Sequence, residues 1–228
     1  MKFIVIGLGY FGSTLAISLI EQGHEVIGVD NRWNRVDELK NLIPNVMEMD
    51  TTNEQAVKTL PLDDTDSVIV AIGEDVGSSL LTLSILQNLG VKNIIGRVIS
   101  PIHQNILKQI GIEHTVHPEF ATAIRVGLKL QLRDAIDVFE LDDNNVIAEF
   151  KVPSKYDGHT VGTMNLTQRF KLRLMAVKTP SSQRGVMSII SKNEYMTNFE
   201  PSDEMVVHES DVLVLAGSMN DMKKFAAE

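Results

Sequence analysis

The chain has 228 residues, of which 43% are hydrophobic, 22% charged and only 5% aromatic, so aliphatic side chains must fill a core sized for one large domain or two small ones. A formal net charge of −9 disfavours nucleic-acid backbones and anionic membrane surfaces, and the absence of cysteine excludes disulfides, thiolate zinc sites and cysteine nucleophiles. Met1 to Ile6 run straight into a strand without a signal-peptide layout, and no apolar run reaches the roughly 18 residues of a membrane span. The expectation is a cytoplasmic protein with no direct membrane insertion, so that any work at a membrane goes through a partner.

Strand-like and helix-like segments alternate over the first 117 residues. Lys2 to Ile6 reads as a strand and Phe11 to Gln22 as a helix, with Leu15, Ala16, Leu19 and Ile20 on one side. Glu25 to Val29 and Trp33 to Leu42 repeat the pair. Asn45 to Met49 and Glu54 to Leu60 follow. Ser67 to Ile72 is the most apolar strand, before a long helix from Asp75 to Leu89. Asn93 to Val98, a helix from Pro101 to Ile110 and a strand from Glu113 to His117 complete the set. Proline in a first turn gives up no hydrogen bond. Strands without apolar–polar alternation are buried on both faces, and at this spacing they predict a Rossmann-type doubly wound parallel sheet, an α/β fold.

Pro118 to Ala135 reads as a helix with Phe120, Ala123, Ile124, Leu128 and Leu132 on one face and Leu130 beside it. It either lies on its own sheet or forms an interface. From about Ile136 the pattern changes. Asp137 to Leu141 and Val146 to Val152 alternate like strands around the turn Asp142–Asn145. Thr163 to Phe170 predicts a short helix; Leu172 to Val177, Val186 to Ile190 and Val212 to Leu215 predict strands; Met219 to Ala227 predicts a terminal helix. The expected domains are 1–135, including the helix at 118–135, and a smaller α+β domain at 136–228.

The chemistry concentrates at Gly7-Leu8-Gly9-Tyr10-Phe11-Gly12, set between a strand and a helix. Gly7 permits the tight turn, Gly9 leaves no side chain between backbone and pyrophosphate, and Gly12 lets helix and strand pack closely. The amides and positive end of the helix then face phosphate. Asp30, about twenty residues on at the end of the second strand, completes the fingerprint, with Asn31 beside it. A carboxylate there accepts from ribose hydroxyls and repels a 2′-phosphate. Asp50 and Thr51 end the third strand at the edge where ligands bind, although Asp50, Thr51, Thr52 or Asn53 also suits a helix cap. Ala71, Ile72, Gly73 and Glu74 end the fourth strand beside the crevice. Arg97 ends the fifth, placed either to neutralise phosphate or to form an ordinary ion pair.

A dehydrogenase also needs a positioned acid or base, usually His or Lys. None of the six histidines sits in a catalytic motif, and no Walker lysine loop, Ser/His/Asp set or His-x-x-His metal signature occurs. An enzyme is therefore not expected, and a small NAD-dependent oxidoreductase is the alternative.

The loop Gly-Leu-Gly-x-Phe-Gly, Val29-Asp30, Val70-Ala71-Ile72-Gly73, and Ile110-Gly111 followed by His117-Pro118-Glu119 resemble the RCK (KTN) potassium-transport regulators of the TrkA family. Phe150-Lys151-Val152-Pro153 and Asp211-Val212-Leu213-Val214-Leu215-Ala216-Gly217 resemble that family's C-terminal RCK module. One N-plus-C unit is similar to the KtrA-like branch. The resemblance implies a regulatory subunit that binds ATP, ADP or NAD(H) without turning it over and gates a potassium-translocating membrane subunit (TrkH/KtrB-like) as a homodimer assembled into a ring, an octamer. It implies that Gly7, Gly9 and Gly12 hold phosphate, that Asp30 holds ribose and that Asp50 lies near the adenosine. Glu119 would sit near the dimer interface and hold a cation, divalent or monovalent, by the phosphates. It also implies that 118–135 is a crossover helix joining two subunits, and it adds cyclic di-AMP as a ligand of the C-terminal module in some relatives. Two departures stand out. Tyr10 occupies a position where the branch often carries an arginine, and 180–209 is longer and more polar than the usual module.

Overall fold

The computed structural model describes residues 1–181 and 195–227, so the strand expected at 186–190 lies outside the described residues. The described chain forms two compact units, Met1–Phe120 and Ala121–Glu228.

In the first unit, strands and helices alternate in the order β1 (Lys2–Ile6), α1 (Tyr10–Glu21), β2 (Glu25–Asp30), α2 (Trp33–Leu39), β3 (Asn45–Glu48), α3 (Glu54–Val57), β4 (Ser67–Val70), α4 (Val76–Asn88), β5 (Ile94–Arg97), α5 (Pro101–Gln109) and β6 (His114–Val116). The sheet is parallel with order β3-β2-β1-β4-β5-β6. Alternate side chains feed two cores, one on each face. Ile4, Ile6, Val68 and Val70 pack with Val57, Leu83, Leu86 and Leu107 from α3, α4 and α5. Val5, Val26 and Ile69 pack with Ala16 and Leu39 from α1 and α2. Both faces are therefore covered, which is why these strands are continuously apolar.

The strand order reverses beside β1, whose Ile6 lies level with Val29 of β2 and Val70 of β4. In open parallel sheets such a switch point opens a crevice at the carboxyl ends of the strands. α4 starts where Asp75 accepts from the Ser78 amide, and α5 where Ser100 accepts from the His103 amide, ahead of Pro101. These caps satisfy first-turn donors that a bare helix end leaves open.

α6 (Pro118–Leu130) ends earlier than the pattern suggested. A turn with Asp134 at φ 60 follows, and Leu132 is buried in the second unit's core with Leu128 against it. That packing moves most of the helix out of the expected 1–135 domain and into the second unit. The second unit continues with β7 (Ala135–Glu140), β8 (Asn145–Lys151), α7 (Val161–Met164), α8 (Leu166–Phe170), β9 (Arg173–Pro180), β10 (Tyr195–Asn198), β11 (Val212–Ser218) and α9 (Met219–Ala226). Its sheet is antiparallel in the order β10-β9-β11-β8-β7. Phe225 of α9 meets Phe150 and Phe170 edge to face at 5.3 and 5.5 Å. The helix expected over 163–170 is two helices, because Asn165 between them takes a left-handed conformation at φ 52.

Candidate functional site

The glycine-rich loop closes the first crossover, and its three glycines have three different reasons. Gly7 sits at φ +89 and donates to the Val29 carbonyl at 2.7 Å; a Cβ there would lie 2.9 Å from the Ile72 nitrogen. Most side chains avoid that conformation. A Cβ on Gly12 would overlap the Gly7 carbonyl oxygen, so Gly12 is fixed by the close passage of α1 over the loop. Gly9 differs, since a Cβ there would meet nothing within 4 Å. Gly9 is also the N-cap of α1, which has no side-chain cap and no acidic residue in its first turn. Tyr10 is 90% exposed, and Phe11 is half-buried beneath the Arg97 guanidinium, 5.5 Å from its ring.

Asp30 ends β2 and is 4% exposed. Its Oδ2 accepts from the Leu8 amide at 2.7 Å; its Oδ1 accepts from the Arg32 amide at 3.0 Å and from Arg32 Nε at 3.1 Å. Arg32 Nη1 then reaches Glu74 at 3.4 Å, tying the end of β2 to the loop after β4. The hydrogen bond that Arg32 donates to Asp30 raises the Arg32 pKa. From α2, Arg35 donates to the Leu8 carbonyl through Nε at 3.2 Å and Nη2 at 2.8 Å, and pairs with Glu38. The Leu8 peptide is therefore gripped at both ends, its N–H by Asp30 and its C=O by Arg35. Neither arginine figured among the expected site residues. The signal was two cations placed two and five residues after a strand-ending acid.

At the other end, Arg97 leaves β5 and lies across Ala71 and Gly73. It donates to the Ala71 carbonyl at 3.3 Å, and a Cβ on Gly73 would sit 2.6 Å from its Nη1. Gly73 is the opening that admits the guanidinium. Glu119, in the first turn of α6, pairs with Arg97. Its own backbone amide first, and then Arg97, hold the Glu119 carboxyl below the usual range, against desolvation. Arg97 Nε is buried with no hydrogen-bond partner, so the guanidinium is not saturated. Ile72 packs beside the core and Ala71 is buried.

The structure thus joins Gly7, Gly12, Ala71, Phe11, Gly73, Arg97 and Glu119 through shared contacts, and Asp30 with Glu74 through Arg32, while Gly9 stands in the same loop with open space beside it. Asn31 is exposed beside Asp30. The Asp50 carboxylate is turned onto its own loop, accepting from the Thr52 amide at 2.9 Å and the Thr52 hydroxyl at 2.7 Å, which lower its pKa. Asn53, not Asp50, caps α3. The Thr51 hydroxyl is buried against that of Thr82 on α4 at 2.8 Å, so its side chain serves the core. Among the described residues no group of three or more His, Asp or Glu is arranged to hold a metal ion, and Glu119 faces an arginine instead. No helix of the described residues is long and apolar enough to cross a membrane.

Residues 3–118 match the family model described as TrkA-N domain. The chain is 32% identical over 224 residues to Ktr system potassium uptake protein C of Bacillus subtilis (strain 168), covering 98% of this chain and 95% of that protein. It is 31% identical over 206 residues to Ktr system potassium uptake protein A of Vibrio alginolyticus, covering 90% and 91%. The solved GsuK channel bound to NAD superposes over the full length of this chain with a TM-score of 0.61 at 19% identity; the chain spans 39% of that structure.

Proposed function

The chain belongs to the TrkA-N domain family, and on that premise we propose that it is a nucleotide-binding regulatory subunit of a potassium-uptake system. Gly9 carries the reading. Its missing side chain answers to no contact within the protein, and it stands at the uncapped start of α1, where amides and helix dipole attract an anion. A pyrophosphate against the backbone of Gly7 to Gly12 accounts for that open space. The full set of ligand contacts then runs through Gly7, Gly9, Tyr10, Phe11, Gly12, Asp30, Asn31, Ala71, Ile72, Gly73, Glu74 and Arg97, with Asp50 and Thr51 contributing backbone only. The relatives named for Ktr potassium uptake support the physiological role.

The ligand is an adenine nucleotide: ATP, ADP or NAD(H). Arg97, with an unsatisfied Nε, neutralises a phosphate, and Glu119 is then released to help hold a cation there. α6 has no buried residue and exposes Phe120 at 66% and Leu130 at 81%, which supports its role as the element that pairs two subunits. Dimers assemble into a ring, an octamer, that acts on a potassium-translocating membrane subunit from its cytoplasmic side. Nucleotide binding biases the ring's shape, with a coupling of about 1–3 kcal/mol per site. For cyclic di-AMP, the place to look is a cavity of about 450 Å³ in the second unit, lined by Asn165, Arg173, Phe199 and Asp203 among others.

Thermal-shift titration with ATP, ADP and NADH, on the wild-type chain and on Asp30→Ala, tests the nucleotide reading, because a ligand of the native state raises stability by RT ln(1 + [L]/Kd). At least one ligand is expected to raise Tm, and Asp30→Ala to reduce the rise. Ion flux through a co-purified membrane subunit is expected to depend on that ligand. No rise with any of the three, or steady substrate-dependent change at 340 nm, contradicts a nucleotide-controlled, non-catalytic subunit.

A further inference from the structure

A backbone amide serves an anion only if its direction is held. Around the Leu8–Gly9 peptide the loop itself holds little, because Gly9 has no Cβ and glycine turns its backbone at low cost. The restraint comes from α2. The Leu8 carbonyl accepts from Arg35, 27 residues on, through Nε at 3.2 Å and Nη2 at 2.8 Å. Two donors in the fixed plane of one guanidinium define a direction, as a single donor does not. Arg35 Nη1 pairs with Glu38 on the same helix, which steadies the fork. In a trans peptide the N–H points opposite to the C=O. With the Leu8 carbonyl turned toward α2, the Gly9 N–H faces away from it, and among the described residues nothing accepts from that amide. A cation on the carbonyl also polarises the peptide and strengthens the amide as a donor.

We propose that Arg35 is the positioning residue of the anion site: through the Leu8 carbonyl it aims and polarises the Gly9 amide at a ligand phosphate that Arg35 itself does not touch. The inference rests on the nucleotide-binding reading above and gives a task to a side chain outside the ligand contacts named there. Docking of α2 does not need the fork, since Val36 and Leu39 already bury that helix against the sheet. A merely structural tie between α2 and the loop predicts lost stability in a variant, with the peptide unmoved and the affinity of the folded protein intact.

Titration calorimetry with ATP, ADP and NADH, all of which carry a pyrophosphate, tests this on the wild-type chain, Arg35→Met and Arg35→Lys, together with crystal structures of the unliganded variants. Arg35→Met keeps the apolar stem and removes every donor, whereas Arg35→Lys keeps the charge and loses the fork. Each nucleotide that binds the wild type is expected to bind Arg35→Met about tenfold more weakly, the scale of one charged hydrogen bond, with the Leu8–Gly9 peptide turned from its wild-type direction. Arg35→Lys is expected to recover part of that loss. Should Arg35→Met fail to fold, Arg35→Lys carries the test, with a weakening of about threefold expected and wild-type affinity overturning the role. Affinity within about twofold of wild type in Arg35→Met, or weakened binding with the Leu8 carbonyl unmoved, overturns the role of Arg35 and leaves nucleotide binding intact. If none of the three binds the wild type, the nucleotide-binding reading falls and this inference with it.

Discussion

The two ends of the crevice are each closed by an arginine and a carboxylate, but they are built differently. At the end of β2 the partners are two residues apart, the carboxylate is buried, and both of its oxygens are occupied. At the end of β5 the partners are 22 residues apart; the carboxylate is 65% exposed, and the arginine, 16% exposed, keeps a buried donor without a partner. In the local pair both carboxylate oxygens are already bonded within the fold. A long-range, unsaturated pair has a cation to lend.

The scaffold both ends share is the loop, and the largest effect is expected there. Gly12→Ala drives a Cβ into the Gly7 carbonyl and is expected to cost about 3 kcal/mol or more, read as a lowered midpoint in urea unfolding. Gly9→Ala is the matched control: open space around the new Cβ should keep the stability loss under about 1 kcal/mol, while nucleotide affinity falls because the methyl occupies the phosphate's place. Equal stability loss in both would erase the distinction between packing and binding glycines. Next comes the anchor. Arg97→Ala removes the proposed phosphate contact and is expected to weaken nucleotide binding by about 10- to 100-fold in calorimetry, the worth of a charged hydrogen bond. An unchanged Kd would leave Arg97 as a structural ion pair.

Smaller effects separate the site from its support. Thr51→Val breaks the buried bond to Thr82 and is expected to cost about 1–2 kcal/mol of stability with nucleotide affinity unchanged; lost affinity would show that the Thr51 side chain, and not its backbone alone, serves the site. The pH dependence of Glu119 is the smallest. Its folded pKa lies below the ordinary 4.5, so the stability it contributes is present above about 4.5 and is lost as pH falls through the folded value. Glu119→Gln should therefore flatten the acid limb of the stability curve slightly and leave it unchanged near neutrality. A change confined to neutral pH would contradict the assigned pair.

What could be read from residues alone follows from how local each determinant is. The parallel sheet was legible because β1, β2 and β4 are short apolar runs, each followed by a helix, and the loop because its glycines and Asp30 keep fixed spacings. Contacts made across the fold were not. The turn of Thr51 toward Thr82 and the reach of Arg97 to Glu119 depend on α4 and α6 being where tertiary packing puts them. The end of α6 was missed because Leu132 continues the helical period yet is claimed by the second unit's core. The split between α7 and α8 turns on one left-handed asparagine inside an otherwise continuous pattern. β10, Tyr195–Asn198, has too little apolar alternation to announce itself and is held by its ladder to β9. Arg32 and Arg35 carry no fingerprint spacing of their own: the motif ends at the acid that closes β2, whereas the groups that occupy that acid and brace the loop lie in the turn and helix just after it.

The most direct measurement is a crystal structure of the chain grown with the nucleotide that gives the largest thermal shift. Phosphate oxygens are expected within hydrogen-bond distance of the backbone amides from Gly9 to Gly12, with Arg97 turned onto them. Nucleotide density elsewhere, with the space beside Gly9 filled by solvent or side chains, would contradict it.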